Sequence, residues 1–139
     1  MKIDPATEKK IVRMLAEQYK VKLAFIADRE FRGSFIAPNL VQLSEDAHND
    51  VTSMIGTFFH ELGHVHAYRN KIFKAYHRLP VSRKNRTVIL ATAVRAERWV
   101  DNWGRLECLK HFPQFKWTKT YASRGDIDVL KNFLRKVLV

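Results

Sequence analysis

Two histidines four residues apart, with a glutamate after the first, make up the one segment of this chain whose residue types and spacing could do chemistry: His60-Glu61-Leu62-Gly63-His64. On a helix, four residues advance the chain by about 40° beyond a full turn, so His60 and His64 project from one face. Two imidazoles so placed can bind one Zn2+. Glu61 lies roughly 100° around from His60. It borders such an ion without joining the ligands, which is where a general base for a water belongs. The segment supplies two ligands and a base, and lacks a third ligand.

The spacing has meaning only on a helix, and the flanking residues predict one over about Val51–Asn70. Val51, Ile55, Phe58, Leu62 and Val65 recur at helical spacing as a core stripe. The histidine face also carries Ser53, Gly56, Thr57 and Ala67, all small. A glycine inside a helix costs about 1 kcal/mol relative to alanine, so Gly56 and Gly63 point to close packing by a second helix. The stretch Ser44–Asp50 is acidic and rich in capping residues, as expected just before a helix start.

The second helix is predicted over about Arg83–Leu109, capped by Ser82. One of its stripes is Leu90, Val94, Glu97, Asp101, Gly104 and Cys108. Arg95, Arg98, Asn102 and Arg105 lie a quarter-turn or more away. Glu97 and Asp101 thus sit in an apolar stripe, and a buried carboxylate is costly unless paired, hydrogen-bonded or bound to metal. An ion held by His60 and His64 would supply the missing charge. The competing reading is a pair of hydrogen-bonded core histidines with Glu97 paired to an arginine.

H-E-x-x-H followed by Glu97-Arg98-Trp99-Val100-Asp101, an E-x-x-x-D, resembles the gluzincin (thermolysin-like) metallopeptidases in a minimal form. Among small gluzincins the chain is most similar to the ImmA/IrrE-like proteins, which often come from phages and mobile elements and cleave or displace repressors. The likeness covers about residues 5–104. It implies Glu97 as third zinc ligand and Asp101 as the partner that fixes the tautomer of a ligand histidine. The implied activity is hydrolysis of a peptide bond by a zinc-activated water with Glu61 as general base, on a protein or peptide substrate such as a regulatory protein. No residue matches a transition-state stabiliser uniquely; Tyr68, His111 and Tyr121 are candidates. The metzincin pattern fails, since Ala67 and Asn70 stand where glycine and a third histidine belong. His77 lies at the distance of the third ligand in SprT-like proteases, without their flanking glycines, and ranks behind Glu97. His66 points away from the His60/His64 face and is read as a non-ligand.

The remaining elements predict a single α+β domain spanning 1–139, and the resemblance implies that it is zincin-like. Residues Pro5–Tyr19 read as a helix with Ile11, Met14 and Leu15 inward, opened by Asp4 and Pro5. Val21–Ala27 reads as a strand, 28–34 as a turn, and Phe35–Ser44 as a strand or hairpin arm. These make a short antiparallel sheet. Pro38 places the second arm at an edge or bend, and the stretch Pro38–Leu43 would align a substrate. Phe112–Ser123 is aromatic and basic and reads as irregular or extended, and Asp126–Leu138 reads as a final helix.

A length of 139 residues, 46% hydrophobic and 28% charged, suits one folded domain. Cys108 is the only cysteine, which excludes an intrachain disulfide and a cysteine metal site. No apolar run reaches the ~18 residues of a membrane span, and MKIDPATEKK lacks the core of a secretory signal, so the expected location is the cytoplasm. The net charge of +11 predicts attraction to polyanions or acidic proteins. The acid-free run from Leu62 to Ala96 includes the basic connector Lys71–Arg86. It supports an alternative: a non-proteolytic protein on the same scaffold that binds nucleic acid or an acidic protein partner.

Overall fold

The structure is a computed structural model that describes residues 3–27, 32–45, 54–72, 84, 86–117 and 135. It has the α+β layout the sequence indicates, in the order α1 (Pro5–Gln18), β1 (Lys22–Ile26), β2 (Gly33–Ile36), β3 (Leu40–Ser44), α2 (Met54–Arg69) and α3 (Arg86–His111). Val51, Ser53, most of the connector, His77, Tyr121 and the start of the capping stretch's helix lie outside the described residues. So does the expected final helix, apart from Arg135, which is helical.

Asp4 opens α1: its carboxylate accepts from the Thr7 amide at 3.0 Å, and proline follows at the first helical position. The buried stripe is Val12, Leu15 and Ala16. Met14, expected inward, is 69% exposed, because it lies about 200° around from Val12. Helix α1 ends at Tyr19, and Lys20 turns the chain through the left-handed region, φ 58°.

The sheet order is β1-β3-β2. Strand β3 pairs antiparallel with β2 and parallel with β1, so the sheet expected as antiparallel is mixed. The stretch read as one edge arm is two strands joined by the turn at 37–39, which contains Pro38 with a cis peptide bond before it. Because the proline sits in the turn, β3 has every amide needed for pairing on both sides. The Pro38–Leu43 edge is therefore corrected: β3 is the central strand, and the edges among the described residues are β1 and β2.

Helix α2 packs on β2 and β3, on α1, and on α3. It lies between the sheet and α3, and twelve of its sixteen residues are buried. Ile55, Phe58, Leu62 and Val65 join Val12, Val41 and Leu43 in the core. Two polar contacts fix α2 beside α1. The Glu8 carboxylate accepts from the Met54 amide at 2.5 Å, capping the start of α2. At the other end, the Arg69 guanidinium donates to the carbonyls of Tyr19 and Lys20 at 3.1 and 2.8 Å. Neither residue stood out in the sequence, since caps supplied by another element leave no local pattern.

Glycines set the approach of α2 to α3. A Cβ on Gly63 would meet the Val100 carbonyl oxygen at 2.6 Å, and one on Gly104 would meet the Phe59 carbonyl oxygen at 2.5 Å. Each helix thus presses backbone on backbone against the other, on both sides of His60. No helix among the described residues is long and apolar enough to cross a membrane.

Candidate metal centre

The close crossing brings the buried stripe of α3 onto the histidine face of α2. His60 is fully buried, and a carboxylate meets each of its ring nitrogens. Nδ1 lies 3.1 Å from Asp101 Oδ1, and Nε2 lies 2.9 Å from Glu97 Oε2. His64 Nε2 lies 3.1 Å from the other Glu97 oxygen, Oε1. One ligand atom from each of His60, His64 and Glu97 falls within 4.8 Å of the others. The His64 side chain is 24% exposed, so the cluster opens to solvent on that side.

Proton counting shows what this cluster asks for. A neutral imidazole donates through one nitrogen only. His60 faces acceptors at both, and His64 adds a third contact to Glu97. An ionised Glu97 beside both rings therefore calls for extra positive charge, supplied either by protonated rings or by a cation. Burial disfavours ionisation of Glu97, but the hydrogen bonds from His60 and His64 outweigh it and hold its carboxyl well below the usual range. Burial likewise opposes the charged form of His64. The hydrogen bond to Glu97 and the charges of Glu61 and Glu97 prevail, and its pKa is raised.

A single divalent ion would replace those protons. The donor set fits: two imidazole nitrogens and a carboxylate are ligands of zinc, whose tetrahedral ligands lie about 3.3 Å apart. Asp101 on Nδ1 directs the Nε2 lone pair of His60 toward Glu97, as the partner of a metal-ligating histidine does. Glu97 contacts these histidines and not an arginine, which removes the competing ion pair among the described residues.

Glu61 is 2% exposed and lies on the same side of α2 as Thr57, His64 and Tyr68, at spacings of i, i+4, i+7 and i+11. Strand β2 runs beside this face. A Cβ on Gly33 would touch Thr57 Cγ2 at 2.7 Å, and Phe35 packs against Tyr68 with centroids 5.7 Å apart.

The other sequence candidates separate. His66 turns to α3 and stacks on Trp103, centroids 4.5 Å apart. His111 Nε2 lies 2.7 Å from the Tyr19 hydroxyl, and its ring packs against Phe59, away from His64. Tyr68 is half exposed on the Glu61 side. His77 and Tyr121 fall outside the described residues. One residue at the centre escapes sequence reasoning: Trp117, whose indole Nε1 donates to Asp101 Oδ2 at 3.1 Å. Its only sequence signal is its place in an aromatic run.

No family model, curated protein or solved structure matches the chain. The likeness to gluzincins therefore rests on the residues of the two motifs and on the side-chain cluster they form.

Proposed function

We infer that the protein is a zinc-dependent metallopeptidase of gluzincin type, with His60, His64 and Glu97 as ligands and Glu61 as general base. The observation that carries this reading is the convergence of His60, His64 and Glu97 ligand atoms within 4.8 Å, with no lysine or arginine among the described residues neutralising Glu97. Zinc held there would polarise a peptide carbonyl and make a water acidic enough to lose a proton near neutral pH. Glu61 takes that proton and passes it to the leaving amine. Asp101 keeps the proton of His60 on Nδ1. The exposed side at His64 gives a substrate access, and β2, an edge strand among the described residues that packs against Thr57 and Tyr68 of α2, would accept an extended peptide by strand addition. The ImmA/IrrE likeness makes a regulatory protein the substrate class, and phage or mobile-element proteins the setting.

Replacing Glu61 by glutamine tests the reading. Glu61→Gln is expected to bind zinc with wild-type stoichiometry and to lose peptide hydrolysis by about 10²-fold or more. Undiminished hydrolysis in this variant rejects the mechanism. The second reading, a binding protein for nucleic acid or an acidic partner, draws on the net charge of +11. Its signature is binding that weakens steeply with salt and ignores Glu61→Gln.

A further inference from the structure

Both oxygens of Asp101 are committed. Oδ1 meets His60 Nδ1 at 3.1 Å, and Oδ2 accepts from the Trp117 indole at 3.1 Å. Trp117 reaches this position because the chain reverses after α3. Asp101 lies ten residues before the end of that helix, about 15 Å back along its axis. The six residues 112–117 span at most ~20 Å, enough to return that far. The reversal starts with the Phe115 amide donating to the Phe112 carbonyl at 3.0 Å. Phe112, Phe115 and Trp117 all pack on the core, which holds the returning segment against the helix.

An indole N–H can only donate. Its hydrogen bond therefore occupies Oδ2 and stops the carboxylate from rotating, which leaves Oδ1 facing His60 Nδ1. Held in that orientation, Oδ1 accepts from His60, so the imidazole proton stays on Nδ1 and Nε2 keeps its lone pair toward Glu97 and His64. We propose that Trp117 is a positioning residue of the metal centre: through Asp101 it sets the tautomer and ring orientation of His60, and so couples metal affinity to the docking of segment 112–117. This role rests on the metal-centre reading above.

The test is a double-mutant cycle on the full chain, reading zinc affinity by competition with a chelator. Trp117→Phe keeps an aromatic ring and removes the donor, and zinc binding is expected to weaken about ten-fold or more. In the Asp101→Ala background the same substitution is expected to change affinity less than about two-fold, because the path is already cut. A Trp117→Phe variant with wild-type affinity overturns the proposal. So does an equal loss in both backgrounds, which would mark a packing effect. If Trp117→Phe does not fold, benzothienylalanine at position 117 keeps the shape of the indole and deletes only its N–H, with the same two outcomes. A wild-type protein that takes up no zinc rejects the metal centre itself, a result distinct from failure of the Trp117 step.

Discussion

Helix α3 presents side chains at helical i, i+4 spacing twice, at Glu97/Asp101 and again at Glu107/His111, and the two clusters are neutralised differently. At the second, the Tyr19 hydroxyl donates to Glu107 at 2.9 Å, and the Lys110 ammonium donates to the other oxygen at 2.7 Å. Burial works against the charged carboxylate there, but these two hydrogen bonds prevail and its pKa is lowered. Burial and then the neighbouring Glu107 push the Tyr19 hydroxyl up. The cluster contains its own cation and is complete. At the first, among the described residues, Glu97 and Asp101 face imidazole and indole nitrogens and neither pairs with a lysine or arginine. The spacing of acids and histidines is thus shared by both places. What sets one apart is buried carboxylate with no resident cation among the described residues, and that is the property a metal site requires.

The comparison breaks first at the ligands. His60→Ala or Glu97→Ala is expected to abolish stoichiometric zinc uptake, whereas His111→Ala leaves it unchanged. Metal analysis of purified variants checks this, and full zinc in either of the first two rejects that ligand. Next in size is the helix contact that assembles the first cluster. Gly104→Ala adds a methyl within 2.5 Å of the Phe59 carbonyl, which pushes the helices apart. A loss of about 1–3 kcal/mol in denaturant unfolding is expected, with weakened zinc binding, despite the better helix propensity of alanine. Stability unchanged or raised would show that α2 and α3 do not meet so closely.

A pH series sharpens the contrast further. Glu97 has a folded pKa below its ordinary 4.5, so its contribution to stability is present above that value and is lost as pH falls through the lowered one. His64 has a folded pKa above its ordinary 6.5, so its contribution is present below 6.5 and is lost as pH rises through the raised one. Metal-free protein is therefore expected to gain most from this cluster between about pH 4.5 and 6.5. If zinc binds as proposed it would take the place of the protons, so the alkaline loss should vanish when it is added. Chemical unfolding across pH, with chelator and with zinc, gives the answer; identical profiles would count against the site. The smallest effect belongs to the complete cluster. Tyr19→Phe keeps the edge-on packing against Phe59 and removes one hydroxyl, at a cost of about 1 kcal/mol with no change in zinc binding.

Much of the centre was legible in the chain because helical periodicity is local. His60 and His64 share a face whatever surrounds them, and Glu97 and Asp101 betray their burial by interrupting an apolar stripe. Gly63 announced the tight crossing for the same reason. What could not be read depends on contacts between distant segments. The position of β3 inside the sheet is set by its pairing with β1, eighteen residues earlier in register. Cross-element caps such as Glu8 and Arg69, and the return of Trp117 onto Asp101, follow from packing and leave no spacing in the sequence. Met14 misled because apolar character was taken for inward direction, when the stripe through Val12, Leu15 and Ala16 already fixed which way α1 faces.

The placement of α2 between the sheet and α3 has a consequence for motion. A helix with twelve of its sixteen residues buried has little route to open alone; the amides of its buried stretch exchange with solvent chiefly when the surrounding layers come apart. The residues His60, Glu61 and His64 are therefore carried by the segment expected to exchange most slowly. Glu97 and Trp117 arrive from neighbours with outward faces of their own. Hydrogen exchange should then show one rate class across Ile55–Val65, equal to global unfolding, and faster classes along β2 and residues 112–117. In this molecule the rigid part of the centre is the motif, and whatever adjusts on binding adjusts around it.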